Sequence, residues 1–547
     1  MRVAPLDGVL AVVSALGLLG WLALAAVSGR RLLHILQLEE YELGRFWAWV
    51  RAHPGRAVSG WQAWGSVALA LMAVLFGDDP SGPLLSGLVT LPLSALALGR
   101  RPPATAKKPL RWTLKAILLA ATAAALGLLG LAGGLAFWAL AVHRQWGALG
   151  FFLPVAALGV APAPLLAVAT LLWWPAQALA KRWLVWRAAA RLRQRRDLVI
   201  VGVTGSYGKT SVKNYLTTLL GARYAVCQTA ASINTPVGVA RTIQSALRPA
   251  HQVFVVEMGA YVPGNIRTLA EFVRPRIGVL TAVGENHLER FGSVEAIART
   301  KYELIEALPA DGLAVFNVDN PRCRELAART RHVRVRTYGL DPAHAPEVTA
   351  SEIRTGPEGT RFVLHLPGEA PVPVRMALLG RHNVSNVLAA AAVAQELGLG
   401  AREIAAAAER LVPVEHRLQL IPGGGGVTVI DDAYNSNPDG ARAALAVLAE
   451  FPGRKVLVTP GMVELGAMLE QRHREFGAEA ARVCDLIILV GPRRTAAIAE
   501  GARQMGFPAD RLHVVGALEE ATAKLAQLVQ PGDVVLFEND LPDQYSE

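Results

Sequence analysis

"DLVIVGVTGSYGKTSVKNYLTTLL" (residues 197–220) decides how the chain is read. A β-branched apolar run ends at Thr204. A turn holding Gly205 and Gly208 follows, and a helix-forming segment opens on Lys209, Thr210 and Ser211. Strand, glycine-rich turn and helix in that order make a phosphate cradle, because backbone N–H groups and the positive end of the helix face the anion. Lys209 would then reach the β and γ phosphates of ATP, and the Thr210 hydroxyl would ligate magnesium. The strict pattern G-x-x-x-x-G-K-[ST] is missed, since Val203 stands where its first glycine would fall. Gly205, Ser206, Gly208, Lys209, Thr210 and Ser211 are the candidate nucleotide-binding residues.

Upstream of this loop the chain changes character. Of 547 residues, enough for three or four domains, 52% are apolar, and the excess gathers before about residue 180. A membrane-spanning helix needs roughly 20 apolar residues. Residues 8–28, 61–76, 84–98, 114–142 and 148–178 give about five spans, the second and third being short and separated by GDDPSG. Pro154, Pro162 and Pro164 predict a kink or a pair of half-helices in the fifth. A cleaved leader does not fit the first stretch, because more spans follow it. Residues 32–53, mixing Leu, Trp and Phe with Glu and Arg, read as an interfacial helix or as a plain connecting loop.

Charge divides at the same place. Residues 1–197 carry 20 Lys and Arg against 7 Asp and Glu, and the remainder carries 35 against 37. The net charge of +11 therefore belongs to the apolar part, where basic loops flanking spans mark the cytoplasmic side. Arg30, Arg31, Arg45, Arg51 and Arg56, then Arg100, Arg101, Lys107, Lys108 and Arg111, then residues 181–196, all face the cytoplasm if the N-terminus lies outside. The loops between them carry Asp78 and Asp79, or His143 and Arg144. An odd number of spans leaves the second half of the chain in the cytoplasm. No basic face interleaved with aromatics occurs there, so nucleic acid is not an expected partner. Cys227, Cys323 and Cys484 lie far apart and form neither a disulfide framework nor a zinc pattern.

Downstream, "HQVFVVEMGAYVPGNI" (251–266) is a second strand ending at Glu257, and "RIGVLTAVGENHLERFGS" (276–293) is a third ending near His287. Three polar strand tips beside a phosphate loop converge on one edge of a parallel sheet, the usual ligand site of such sheets. A carboxylate there suits magnesium. Residues 198–412 alternate strands and helices around a β-rich excursion near 345–378, the pattern of a doubly wound α/β domain. "LVPVEHR" (411–417) reads as a hinge. The segments GVTVIDD, KVLVTPG, LIILVG, LHVVG and DVVLFEN then give the strands of a smaller Rossmann-like domain over 413–547.

TGSYGKTS, VVEMGA, NHLERFGS, RTKYELI (299–305), FNVDN (316–320), GRHNVSNVLAAAAVA (380–394), VEHRLQLI (414–421), VIDDAYNSNPDGARAAL (429–445) and VELG (463–466) occur in that order. Together they resemble the central and C-terminal domains of Mur ligases, nearest the D-alanyl-D-alanine-adding branch, over residues 198 to about 540. The resemblance implies a P-loop ATPase-like central domain and an ATP-dependent, ADP-forming amide ligase of cell-wall precursor synthesis. In that chemistry a carboxylate is activated as an acyl phosphate and attacked by an amine. The resemblance also implies that Thr210 and Glu257 hold one magnesium and His287 helps to hold a second. Lys301 matches a lysine that family members carbamoylate; a surface lysine paired with Glu303 or Glu306 is the plainer alternative. Asn383 matches an adenine contact, or simply caps its helix. Arg417 and Asp432 match residues that clamp phosphate and ribose. Lys209, His287 and Lys301 are thus the expected catalytic groups. Asn234, Tyr434, Asn435, Asn437, Glu538 and Asp540 are candidate substrate contacts, with Asn317 and Asp319 explained as well by a turn.

Two departures bear on the substrates. Family members carry a soluble substrate domain where this chain has residues 1–197, so the acid could be a small nucleotide-linked precursor or a lipid-linked one, met at the bilayer alone or beside other envelope-synthesis proteins. The family's K-G-S-R stretch is replaced by "VVLFENDLPDQYSE" (534–547), where Glu538, Asp540 and Asp543 are acidic. This predicts an amine other than D-Ala-D-Ala, or a different grip on it, unless these residues are only a solvated tail. A nucleotide-driven transporter or sensor is the competing class, set apart by whether an amine stimulates ADP release. A degenerate scaffold is disfavoured by the intact loop.

Overall fold

The computed structural model describes residues 4–75, 82–98, 109–141, 149–285, 288–433, 437–463 and 465–540. It comprises two compact units, Met1–Ala180 and Lys181–Glu547.

The first unit is helical: α1 (Ala4–Leu38), α2 (Leu43–Ala52), α3 (Pro54–Ala57), α4 (Gly60–Leu75), α5 (Gly82–Leu98), α6 (Leu114–Ala141), α7 (Leu149–Val160) and the start of α8 (Pro162–Arg193). Three stretches, Ala11–Leu38, Leu114–Leu140 and Pro162–Arg193, are long and apolar enough to cross a membrane. Over 16 and 17 described residues, α4 and α5 fall short of a full span, so among the described residues the expected five spans stand as three long helices and three shorter apolar ones. The fifth stretch divides after Val160, and Pro162 opens α8 at a position where a missing N–H leaves no bond unmade. Residues 32–53 are not one interfacial helix. The first of them complete α1, the chain turns at Glu40 and Tyr41 with φ of 58° and 63°, and α2 packs Phe46 against Leu32, Leu33 and Leu36. Small residues let α1 and α5 approach closely, Gly17 lying against Gly87 and Thr90, and Gly20 against Ser94. Some buried polar groups of the unit are paired: Gln62 donates to Ser28 at 2.8 Å, and the Trp21 indole to the Val155 carbonyl at 2.9 Å. Residues 77–81 of the GDDPSG turn, the basic loop from 99 to 108, and His143 with Arg144 lie outside the described residues.

The second unit begins within α8. Ala188 and Leu192 are buried with Ile243, Leu247 and Phe254, and Arg191 donates to the carbonyls of Ile243, Gln244 and Leu247. The last turns of α8 therefore belong to the catalytic core rather than to the apolar region. Strands β1 (Val199–Thr204), β2 (Val226–Gln228), β3 (Val253–Glu257), β4 (Ile277–Leu280), β5 (Leu313–Asn317) and β6 (Arg334–Tyr338) form a parallel sheet in the order β2-β3-β1-β4-β5-β6. Both faces are covered, so the inner strands β1, β3, β4 and β5 are near-continuous apolar runs instead of alternating, whereas the edge strand β6, RVRTY, is not. Val201 and Val203 enter one core with Leu216 and Val387; Leu198 and Ile200 enter the other with Ile243 and Leu304. The β-rich excursion is an antiparallel meander of β7 (Thr349–Gly356), β8 (Gly359–His365) and β9 (Val372–Met376).

A second sheet contains β10 (Gln419–Pro422), β11 (Thr428–Asp432), β12 (Lys455–Thr459), β13 (Leu486–Val490), β14 (Leu512–Val515) and β15 (Val534–Glu538), ordered β10-β11-β15-β12-β13-β14. All but the edge strand β10 run parallel. β10 begins within VEHRLQLI (414–421), a segment with no strand expected from its sequence. Insertion of the last strand between β11 and β12 creates a switch point at which their C-terminal tips open.

Candidate active site at the edge of the first sheet

The loop after β1 turns because Gly208 adopts φ of 80°, a conformation that disfavours any side chain. Gly205 lies so close to Thr281 that a Cβ would collide with it. Helix α9 (Lys209–Leu220) starts directly behind the loop and aims its unpaired N–H groups at the sheet edge. The Ser206 hydroxyl is anchored by the Gly284 N–H at 2.9 Å, and Ser211 is buried. Lys209 folds over the loop, donating to the carbonyls of Gly205 at 2.7 Å and Ser206 at 3.2 Å. Burial lowers its pKa to about 8; Glu257 opposes that shift, and the nearby charge of Arg417 adds to it.

Glu257, at the tip of β3 and 1% exposed, pairs in register with Val203, the penultimate residue of β1. Its Oε2 accepts the Thr210 hydroxyl at 3.0 Å, and its Oε1 accepts the Asn234 amide at 3.3 Å. Lys213 Nζ stands 3.4 Å from Oε2. Sequence reasoning missed Lys213. Its signal was helical spacing, since it lies three residues after Thr210 and four after Lys209, on the same face of α9. Thr210 and Glu257 offer the hard oxygen donors magnesium prefers, and magnesium commonly takes one or two protein carboxylates, completing its shell with phosphate oxygens and water. No cluster of three or more His, Cys, Asp or Glu exists among the described residues.

Helices α10 (Pro236–Ser245), α11 (Asn265–Val273), α12 (Leu288–Phe291) and α13 (Val294–Glu306) follow in the chain. Ser293 caps α13, accepting the Ala296 N–H at 3.1 Å. Lys301 projects inward from α13, 6% exposed. Burial, reinforced by the charge of Lys209, holds its pKa well below the usual lysine value. The surface alternative is overturned, because Glu303 binds the backbone N–H groups of Gly264 and Arg267, and Glu306 pairs with Arg267. Burial disfavours the charged form of this amine.

The second domain closes on this edge. Arg472 forms a two-pronged pair with Glu285, and the charge of Asp439 acts on Tyr207 of the loop. Arg417 lies near enough for its charge to act on Lys209, Lys213 and Asp432. It is flanked by His416 and Leu418, whose φ values of 58° and 46° are strained for such residues. Asp432 accepts the Leu418 N–H at 3.1 Å, and burial raises its pKa to about 6.

Other expected residues are placed differently. Asn383 is not the cap of helix Arg381–Glu396, a position held by Gly380. Its amide oxygen accepts the Tyr215 hydroxyl at 2.7 Å, and its nitrogen donates to Leu379. Asn437 does cap a helix, accepting the Gly440 N–H at 3.0 Å. Asp319 binds the backbone of Leu340 and Asp341, as a turn requires, and Asn317 donates to Thr281. Glu538 is no solvated tail residue: it is fully buried and accepts the Thr459 hydroxyl at 2.7 Å, whereas Asp540 is exposed. His287, Tyr434, Asn435 and Asp543 lie outside the described residues.

Family models match the same unit. The Mur ligase middle domain matches residues 203–394, and the Mur ligase glutamate ligase domain matches residues 416–538. UDP-N-acetylmuramoyl-tripeptide--D-alanyl-D-alanine ligase of Mycobacterium tuberculosis is 39% identical over 361 residues, 62% of this chain and 70% of the relative. The chain is a Mur ligase.

As such it is an ATP-dependent, ADP-forming ligase of the MurF-like, peptidoglycan-precursor kind. The Escherichia coli enzyme of the same name is 35% identical over 305 residues, covering 55% of this chain and 67% of that one. Among solved structures, MurF from Acinetobacter baumannii superimposes with a TM-score of 0.61 at 29% identity, over 67% of this chain and 78% of that one. MurF from Thermotoga maritima in complex with ADP gives 0.58 at 26%, over 66% and 80%. The helical unit precedes both matched domains.

Proposed function

We propose that this Mur ligase is held in the membrane by its apolar helices, with the catalytic unit on the cytoplasmic side, and that it adds D-Ala-D-Ala to a muramoyl-tripeptide acid. One observation carries the reading: Lys209, the Thr210–Glu257 pair, Lys301 and Arg417 surround one sheet edge although they come from both matched domains.

The chemistry follows from these groups. The γ-phosphoryl group passes from ATP to the acid's carboxylate, leaving ADP; the amine then attacks the acyl phosphate and expels phosphate. Two anions must meet in the first step, so positive charge fixed in advance is the main requirement. Lys209, protonated below about pH 8, donates to the phosphates once it leaves the loop carbonyls. Arg417 brings a second charge from the other domain. Thr210 and Glu257 would hold magnesium, which when bound neutralises phosphoryl oxygens. Lys301 supports carbamoylation through its burial, and the resulting anion would order a second ion together with His287. Asn383, Asp432, Asn435 and Tyr434 are assigned to nucleotide and substrate by resemblance. Closure of the second domain, braced by Arg472 and Glu285, would keep water from the acyl phosphate.

D-Ala-D-Ala is taken from the relatives' name. The acidic tail gives little reason to replace it, since Glu538 is buried beneath Thr459. A second reading changes only the acid. Because α8 runs from an apolar stretch directly into the catalytic core, a lipid-linked tripeptide acid is favoured beside the UDP-linked one. The test is ADP release by the full chain in nanodiscs, with D-Ala-D-Ala and either UDP-linked or lipid-linked acid. Release with neither acid would end both readings.

A further inference from the structure

Lys213 is a charged group at the site to which the proposed reaction assigns no task. Its side chain is fully buried. It stands 3.4 Å from Glu257 Oε2, the oxygen that also takes the Thr210 hydroxyl at 3.0 Å. The other carboxylate oxygen is occupied by Asn234 at 3.3 Å. The carboxylate oxygen that would meet a metal ion thus already faces a fixed positive charge. This ammonium cannot swing into solvent. It rises from α9 between the buried residues Val212 and Leu216, and it also donates to the carbonyl of Ala231, a residue held at φ of 42°. Lys209 and Arg417 bring further positive charge to the same pocket.

We propose that Lys213 is a stand-in cation: it compensates Glu257 while the nucleotide is away, and so bars a bare divalent ion from the site. The inference rests on the reading of Thr210 and Glu257 as magnesium ligands. A divalent ion entering alone would leave two uncompensated positive charges beside a buried ammonium, where charges are poorly screened. Phosphate oxygens reverse that balance, so the ion enters together with its nucleotide. Lys213 is a positioning residue in this scheme. It touches neither substrate nor phosphate, and it fixes the order in which the site fills.

The experiment is manganese binding, followed by electron paramagnetic resonance of the free ion, on the full chain in nanodiscs with and without ADP. Wild type should bind manganese with ADP, should lose that binding on Glu257→Gln, and should show no Glu257-dependent binding without ADP. Lys213→Met should gain nucleotide-free binding, at least about tenfold tighter than wild type. The double variant Lys213→Met/Glu257→Gln should lose that gain, and Lys213→Arg, which keeps the charge, should not show it. A purely structural lysine would not create a metal site when removed. The proposal is overturned if Lys213→Met keeps ADP-dependent binding but gains none without ADP. It is equally overturned if wild type binds as tightly without ADP as with it at a Glu257-dependent site, a measurement that decides the matter even if the variant does not fold. If wild type shows no Glu257-dependent binding even with ADP, the underlying metal assignment fails first and takes the proposal with it.

Discussion

The two parallel sheets of the catalytic unit end in tips of opposite charge design. At the first, Glu257 sits among Lys209, Lys213 and Arg417, with Lys301 close to Lys209. At the second, Asp432 and Glu538 face each other in register across β11 and β15, and Thr459 of β12 binds Glu538. Glu538 accepts the Thr459 hydroxyl, and Asp432 accepts the Leu418 N–H. The same doubly wound topology therefore supports an electropositive edge that can receive phosphates and an acidic edge that stabilises its own domain. Arg417 lies between them, acting on Lys209 and on Asp432 alike.

The largest effect should come from removing charge at the first edge. Lys209→Met should lower kcat/KM for ATP by about 10²- to 10³-fold, the scale of losing one fixed donor to developing charge. Glu538→Gln, made at the second edge, should change the same parameter far less. Equal losses in steady-state ADP release would erase the distinction between the two edges.

The next effect is a pH dependence. Lys209 binds its proton with a pKa of about 8 in the free enzyme, and only the protonated form attracts phosphate. ATP affinity should be constant below that value and fall about tenfold per pH unit above it. Arg417→Ala removes a like charge, so the descending limb should move to higher pH in fluorescent-nucleotide titrations. A limb that stays in place would mean that the two domains are not electrostatically joined.

Much of the first edge was legible before any coordinates. A strand, a glycine turn and a helix are consecutive, so Gly208, Lys209 and Thr210 announce themselves locally. Glu257 follows because an apolar strand ends on it. The ion pair of Lys213 on α9 was not legible, since its partner lies 44 positions away on β3. Glu538 was harder still. Its acidic neighbours suggest a solvated tail, and only the insertion of β15 between β11 and β12 shows that the residue is sealed in. In the apolar region, hydropathy located the long apolar helices, but not the short α2 and α3, where α1 ends, or that Phe46 of α2 packs back onto α1, because these depend on contacts between helices.

At the second edge the expected effects concern stability. Glu538→Ala leaves the Thr459 hydroxyl without its buried acceptor and should destabilise the domain by about 1–3 kcal/mol, read as a lowered Tm, while Glu538→Gln keeps an acceptor and should lose less. An unchanged Tm for the alanine variant would show that this carboxylate is not structural.

The smallest effect belongs to Asp432, whose folded-state pKa is raised to about 6, chiefly by burial. A carboxyl group with a raised folded-state pKa binds its proton more tightly in the folded chain than in the unfolded one. Its contribution to stability is therefore complete below the ordinary aspartate range and is lost as pH rises through about 6. Asp432→Asn cannot titrate, so between pH 4 and about 6 the variant's Tm should decline less than wild type's, and near pH 7 the variant should be the more stable of the two. Arg417 works against this shift, since its charge favours ionised Asp432. Arg417→Ala should accordingly push the wild-type decline to higher pH, the same direction in which it moves the Lys209 limb. If one substitution moves both profiles together, a single guanidinium sets the potential at both sheet edges. If it moves only the Lys209 limb, Asp432 answers to its own domain alone.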